Sequence, residues 1–233
     1  MPEILALSGS LRRESYNTRL LRVLAELAPP GMRLRPYPGL GELPLFNEDI
    51  EQLGDPSAAP GPVRRLCAAI RAADGLVIAT PEYNHSVPGV LKNAVDWASR
   101  PHGAGALTGK AVMVTVATTG PRAGYRGLSD AVRLLTELGN TVVTEPEVVV
   151  QQAREVLVTS TDGRPRLLDP TARELLAIQL EALGDLVTAG VADTALRAAH
   201  RHRGTVLGAL GIREAAPTPP APAVPQAPLT ADR

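Results

Sequence analysis

The chain has 233 residues, and its 24 Lys and Arg residues balance its 24 Asp and Glu residues, so the formal net charge at pH 7 is zero. A chain of this length buries one sizeable core, which predicts one domain with appendages. The lack of a basic excess argues against nucleic acid or an acidic membrane surface as a partner. The single cysteine, Cys67, excludes an internal disulfide and a multi-cysteine metal cluster, and we expect its thiol to be buried.

Short apolar runs alternate with helical patterns along the first half of the chain. Strands are predicted at residues 3–8, 32–37 and 75–80. Helices are predicted between them and after them, at residues 16–28, 61–73 and 88–99. No apolar run reaches transmembrane length and the first residues lack a signal-peptide pattern, so we expect a cytoplasmic protein without a membrane partner.

The second half continues the alternation and then changes composition. A fourth strand is predicted at 111–117, a helix at 126–138, a fifth strand from 141–143 together with 147–150, and a last helix at 170–188. Continuous apolar strands separated by helices are typical of a parallel sheet covered on both faces. We therefore predict a domain at 1–189, a helical extension at 190–214 and a disordered tail rich in Pro and Ala at 215–233.

A polar loop follows the first strand. It runs from Ser8 to Thr18 and combines several hydroxyl groups with Arg12 at the start of a helix. Hydroxyls, an arginine and a helix N-terminus together make an anion site. The loop has neither the Gly-Lys-Ser/Thr ending of a P-loop nor the Gly-x-Gly-x-x-Gly fingerprint of dinucleotide sites, so a phosphomonoester is the natural ligand.

A second polar loop, from Pro81 to Gly89, lies between the third strand and its helix. Open α/β sheets bind ligands at the carboxyl ends of their strands, where this loop begins. Two prolines stiffen it, and it offers an aromatic ring, an amide and a hydroxyl. This mixture suits a flat ring with polar edges better than a metal ion or a bare phosphate.

Together these loops resemble the NADPH-dependent FMN reductase family, which comprises flavodoxin-like quinone, azo-dye and chromate reductases. The resemblance is carried by Ser8-Gly9-Ser10-Leu11-Arg12, by Pro81-Glu82-Tyr83-Asn84 and by Leu91-Lys92-Asn93, and it covers roughly residues 2–185. It implies an α/β fold with a doubly wound, five-stranded parallel sheet in the order 2-1-3-4-5 and helices on both faces. The first and second loops would then share one crevice.

The resemblance also implies the cofactor and the residues around it. The FMN phosphate would be held by Ser10, Arg12, Ser15, Asn17 and Thr18. The isoalloxazine ring would be lined by Pro81, Glu82, Tyr83, Asn84 and Ser86. A third loop would add Thr118, Thr119 and Gly120, although Tyr125 stands where a second glycine is typical of the family. No catalytic side chain and no metal are expected, because the flavin carries the chemistry.

The implied activity is that of an NAD(P)H-dependent FMN oxidoreductase. Hydride would pass from NADPH or NADH through FMN to a small-molecule electron acceptor: a quinone, an azo compound, a flavin or an oxidised metal. The alternatives are a flavodoxin-type electron carrier, which usually has an acidic surface unlike this neutral chain, and a non-catalytic FMN-binding protein. The resemblance further implies a homodimer or homotetramer.

Individual residues leave alternatives open. Asn84 either stabilises a turn or contacts the flavin edge. Trp97, the only tryptophan, packs either in the core or against a second subunit. We expect His85 to lie at the mouth of the pocket rather than to act as a general acid, and Lys92 and Asp96 to form a surface pair one helical turn apart.

Overall fold

A parallel sheet organises the molecule in the computed structural model, which describes residues 1–51, 59–120 and 123–199. Its strands are ordered β2-β1-β3-β4-β5, which confirms the predicted topology. The strands are β1 (Glu3–Ser8), β2 (Arg33–Tyr37), β3 (Gly75–Ala79), β4 (Ala111–Ala117) and β5 (Thr141–Val143). A further short strand, β6 (Val149–Val150), also pairs with β4, so the predicted fifth strand is split into two pieces on the same neighbour.

Helices cover both faces of this sheet. They are α1 (Tyr16–Leu27), α2 (Glu48–Glu51), α3 (Gly61–Ala72), α4 (Gly89–Ala98), α5 (Tyr125–Glu137), α6 (Ala153–Val156), α7 (Pro170–Thr188) and α8 (Val191–Ala199). Alternate residues of the buried strands point to opposite faces. Ile4 and Val77 therefore pack with α1 and α7, whereas Leu5 and Leu76 pack with α3, α4 and α5. Cys67 is buried on the second face, as predicted.

A hairpin that the sequence patterns did not predict precedes α7. It consists of β7 (Leu157–Thr159) and β8 (Pro165–Leu167), which pair antiparallel. Gly163 in its turn has a φ of +81°, a conformation that favours glycine. The buried residues Leu157 and Leu167 join the core on the α1 face, so the hairpin is part of the domain.

The predicted C-terminal extension begins as α8, and its residues from 200 onward, together with the predicted tail, lie outside the described residues. Leu196 of α8 packs against two glycines, Gly109 and Gly139, at the amino-terminal edge of the sheet. A Cβ at Gly109 would lie 2.6 Å from the Cδ2 atom of Leu196. Within the described ranges no single helix has the length and apolar character of a membrane span; α7 and α8 pass that test only jointly, across a 60° bend.

Trp97 belongs to the core of its own chain. Its side chain is 3% exposed, its ring meets that of Phe46 edge-on at a centroid distance of 5.0 Å, and its Nε1 donates a hydrogen bond to the Pro44 carbonyl at 2.8 Å. A second subunit cannot reach an indole buried in this way. The core alternative is therefore correct, and the prediction that Trp97 anchors an interface is wrong.

Candidate functional site

The loops that follow β1 and β3 meet at the carboxyl edge of the sheet. These two strands are neighbours, and the chain leaves them toward opposite faces, which opens a crevice between the loops. Gly9 N–H donates to the Ala79 carbonyl at 2.9 Å, which joins the start of one loop to the end of the other strand. A Cβ on Gly9 would lie 2.3 Å from Thr80 Oγ1, so only glycine permits this approach.

The first loop presents hydroxyl groups at the start of α1. Ser15 caps the helix by accepting the Thr18 N–H, and Ser10 Oγ accepts the Arg12 N–H, each at 3.4 Å. Ser8 Oγ and Thr18 Oγ1 lie 2.8 Å apart. A hydroxyl that accepts a backbone N–H keeps its own proton to donate. These donors therefore suit an anion placed at the positive end of the helix.

Charged side chains around this loop are compatible with a bound anion. Arg12, in the first loop, is exposed. Glu14, the nearest carboxylate in the loop, forms an ion pair with Arg19. The hydrogen bond from Arg19 lowers the pKa of Glu14, so its charge is present at neutral pH but is balanced locally.

Asn17, one of the predicted phosphate contacts, pairs with the backbone of β4. Its side chain is buried, and its amide pairs with both backbone groups of Ala117: Nδ2 donates to the carbonyl at 3.0 Å and Oδ1 accepts the N–H at 2.8 Å. The amide thus extends the hydrogen bonding of β4 and ties it to the first turn of α1. The geometry makes Asn17 a strut of the crevice, and its predicted phosphate contact stays a prediction.

The second loop forms a tight turn. Asn84 and His85 have positive φ angles of 51° and 64°, and Tyr83 and Ser86 exchange both backbone hydrogen bonds at 3.0 and 3.1 Å. This is the conformation of a two-residue type I′ turn, in which asparagine is favoured. The turn alternative for Asn84 therefore holds, and Tyr83, with its side chain 46% exposed, lies beside it.

Two of the residues predicted to line the ring form side-chain hydrogen bonds with α5 and its N-cap. Glu82 Oε2 accepts the N–H groups of Gly124 and Gly127 at 3.0 Å each, and Ser86 Oγ donates to Asp130 Oδ2 at 2.6 Å. Burial alone would raise the pKa of Glu82, but the hydrogen bonds from Gly127 and Gly124 outweigh it and lower that pKa. The polar atoms of both side chains are thus engaged with α5 and its N-cap, and the prediction that Glu82 and Ser86 line the flavin ring stays a prediction.

His85 lies at the exposed tip of the turn, as expected. Its Nδ1 is 2.9 Å from Arg126 Nη1 and 3.3 Å from Glu82 Oε1. A neutral ring can accept from Arg126 through Nδ1, whereas a protonated ring can donate to Glu82 instead. The contact with Arg126 links the turn to α5, whereas Glu82 belongs to the same loop as the histidine.

The third loop leaves β4 and closes the same edge. Thr118 pairs through its backbone with Val150 and Ala153, at 2.9 and 2.8 Å, and its Oγ1 accepts the Gly120 N–H at 3.3 Å. Thr119 is exposed. Tyr125, at the start of α5, has its side chain 47% exposed. The structure thus brings all three predicted loops to one edge of the sheet.

The donor set of this edge fits FMN. A phosphate monoester suits the hydroxyls and helix N-terminus of the first loop, and a planar ring suits the stiff backbone of the second loop beside exposed tyrosines. Within residues 1–51, 59–120 and 123–199, no group of three His, Cys, Asp or Glu residues is arranged to hold a metal ion.

Comparisons with known proteins agree with this geometry. The NADPH-dependent FMN reductase family profile matches residues 2–155. An NAD(P)H-dependent FMN reductase of Pseudomonas aeruginosa is 41% identical over 181 residues, which cover 78% of this chain and 92% of that relative. A quinone reductase of Escherichia coli is 34% identical over 185 residues, covering 79% and 95%.

A solved structure is similar over nearly the whole domain. The flavoenzyme NAD(P)H:(acceptor) oxidoreductase FerB from Paracoccus denitrificans superposes with a TM-score of 0.71 at 30% sequence identity, covering 82% of this chain and 99% of its own. The resemblance in the sequence is confirmed by the family profile, by these relatives and by the fold. The chain belongs to the NADPH-dependent FMN reductase family.

Proposed function

We propose that this protein is an NAD(P)H-dependent FMN oxidoreductase that reduces a small-molecule acceptor, with quinones as the first class to test. The observation that carries the proposal is the crevice between β1 and β3, where a hydroxyl-lined helix N-terminus lies next to a rigid turn. FMN bound there supplies the hydride-accepting and hydride-donating chemistry. Relatives named as FMN reductases and quinone reductases support the same activity.

The side chains of the crevice bind and orient. Ser10, Ser15 and Thr18 would donate hydroxyl protons to the phosphate, and Arg12 would add a charge-assisted hydrogen bond from the mouth. The ring would be bordered by Pro81, Tyr83, Asn84, Thr118, Thr119 and Gly120. No side chain is assigned a proton transfer, so the protein contributes by holding the cofactor and leaving one face open to NADPH or NADH and then to the acceptor.

A homodimer or homotetramer completes the proposal. Its support is Leu45, whose side chain is 83% exposed although the backbone on both sides is fixed. The Pro44 carbonyl accepts from Asn93 Nδ2 and from Trp97 at 2.9 and 2.8 Å, and Phe46 N–H donates to Asn93 Oδ1 at 2.8 Å. An apolar side chain presented on a rigid segment beside α4 offers a second copy an anchor, the role first predicted for Trp97.

Purification and turnover test the activity directly. The protein should be yellow, the released cofactor should have the mass of FMN, and holoprotein should oxidise NADPH or NADH faster when a quinone is added. Continuous turnover would separate an enzyme from an electron carrier. FAD as the released cofactor, or a colourless protein that does not take up FMN, would overturn the proposal.

Two further measurements address assembly and location. Light scattering should give at least twice the mass of one chain, and Leu45→Lys should shift the protein toward monomer while Leu11→Lys, a change at another exposed leucine, serves as the comparison. A monomer at micromolar concentration with full activity would remove the oligomer proposal. Cytoplasmic location stays a prediction from the sequence, to be tested by cell fractionation.

A further inference from the structure

Glu82 is a carboxylate with little exposure that the proposed mechanism does not use. Its side chain is 10% exposed, and one oxygen, Oε2, accepts both the Gly124 and Gly127 N–H groups. It lies between Pro81 and Tyr83, two residues proposed to border the ring. Its contacts, however, are all with the neighbouring turn and with α5.

We propose that Glu82 is a positioning residue of the flavin crevice: its carboxylate fixes Gly124 and the start of α5 against the second loop. The inference rests on the proposed function, because it concerns how the crevice is held open for FMN. It removes Glu82 from the residues that contact the cofactor and gives it an indirect role.

The N-terminus of α5 needs a hydrogen-bond acceptor from elsewhere in the chain. The first N–H groups of a helix have no acceptor within the helix, and a side chain at the N-cap usually supplies one. The N-cap of α5 is Gly124, which has no side chain to do so. Glu82 therefore provides the missing acceptor from a loop more than 40 positions earlier in the chain, and its negative charge matches the positive end of the helix.

Two glycines at the start of α5 lie next to Glu82. A Cβ on Gly127 would lie 3.0 Å from Glu82 Cβ and 3.2 Å from its Cα, so a side chain there would push α5 away from the turn. Gly124 has a φ of +107°, which few other residues adopt. The docking of Glu82 thus explains Gly127, whereas a Cβ on Gly124 would lie 2.7 Å from Val149 Cγ1.

Neighbouring contacts strengthen the same junction. Ser86 donates to Asp130, and His85 contacts Arg126, so the turn meets two successive turns of α5 on one face. Glu82, His85 and Ser86 in the second loop therefore all form hydrogen bonds with α5. Such a junction holds the second loop and the start of α5 in place before the cofactor binds. The entropic cost of ordering them on binding is therefore lower.

Three variants separate positioning from direct contact. Glu82→Ala removes the acceptor, Glu82→Gln keeps an oxygen that can accept both N–H groups while losing the charge, and Glu137→Gln makes the same chemical change at the exposed far end of α5. FMN release on dilution of holoprotein, followed by the fluorescence of free FMN, reports affinity. We expect at least about tenfold weaker binding for Glu82→Ala, recovery to within about threefold for Glu82→Gln, and no change for Glu137→Gln.

Amide hydrogen exchange distinguishes the two roles. Glu82→Ala should speed exchange at the start of α5 in holoprotein, because the Gly124 and Gly127 N–H groups lose their acceptor. Gly127→Ala should have the same two effects, and combining it with Glu82→Ala should add little, because both break one junction. If Glu82→Ala does not fold, Gly127→Ala carries the test.

The results that would overturn this inference differ from those that would overturn the proposed function. Wild-type protein that never binds FMN would refute the proposed function and leave the junction to be judged by exchange alone. Wild-type protein that binds FMN, together with Glu82→Gln binding as weakly as Glu82→Ala and with unchanged exchange in α5, would show that the carboxylate contacts the cofactor and would overturn the inference. Fully additive effects of the two substitutions would do the same.

Discussion

Replacing Asn17 by alanine separates a structural amide from a ligand-binding one. The side chain of Asn17 is 2% exposed and that of Ala117 3%, so water cannot replace the two hydrogen bonds that Asn17 makes with the Ala117 backbone. Leaving a buried donor or acceptor unpaired costs about 1–3 kcal/mol, so losing both partners should lower the free energy of unfolding by about 2–6 kcal/mol. That is a large share of the stability of an ordinary domain.

Urea unfolding measures this loss. Trp97 is the only tryptophan and is buried, so its fluorescence should report the transition. Unfolding at two FMN concentrations separates intrinsic stability from the contribution of binding. Asn47→Ala is the matched control: the side chain of Asn47 accepts the exposed Asp49 N–H, and the loss of this hydrogen bond should cost about 0.5–1 kcal/mol.

The alternative gives an opposite pattern. If Asn17 instead binds the phosphate, Asn17→Ala should unfold near the wild-type midpoint while losing more than about tenfold in FMN affinity, since a hydrogen bond to a charged group contributes about 1.5–3 kcal/mol. That result would refute the assignment of Asn17 as a strut. A strut predicts a large loss of stability with a smaller change in affinity.

Three other predictions follow from the same structure. Arg12→Ala and Ser15→Ala should each weaken FMN binding about tenfold but leave riboflavin binding unchanged, and equal losses for both ligands would place the phosphate elsewhere. Trp97→Phe should lower stability by about 0.5–1.5 kcal/mol by losing the hydrogen bond to Pro44, without changing the oligomeric state; dissociation at unchanged stability would restore an interface role. A chain ended after Glu214 should keep its FMN, assembly and turnover, because a segment of Pro and Ala gains too little from burial to order its backbone; lost cofactor would show that the tail docks.

Local patterns were sufficient to predict the strands and the loops between them. A strand buried on both faces consists of consecutive apolar residues, as in residues 76–79, and the alternation with helices indicates a parallel sheet, whereas the order of the strands came from the family resemblance. The positions of the first two ligand loops then follow, because parallel strands bring their carboxyl ends to one edge. The short hairpin before α7 escaped prediction, although Asp162-Gly163 is a typical hairpin signal, because strands of three residues show no clear alternation.

Local sequence patterns do not predict hydrogen bonds between residues that are far apart in the chain. Asn17 and Ala117 are 100 positions apart, and Glu82 and Gly127 are 45 apart. A polar residue in a candidate loop has the same local context whether it binds a ligand or a distant backbone group. The sequence therefore identified loops that meet at one edge of the sheet, but it did not show that Asn17, Glu82 and Ser86 bond to distant parts of the protein.

The position of α8 at one edge of the sheet has a practical consequence for immobilising the enzyme. Leu196 rests on Gly109 and Gly139, just before β4 and β5, whereas the crevice lies where β1 and β3 end. The seven residues of β4, at about 3.3 Å each, separate these two edges by about 23 Å. A tether joined to the chain after Ala199 therefore starts from the pole opposite the crevice. Protein attached to a bead or an electrode through that tether would turn the crevice toward the solution, where dissolved molecules can reach it.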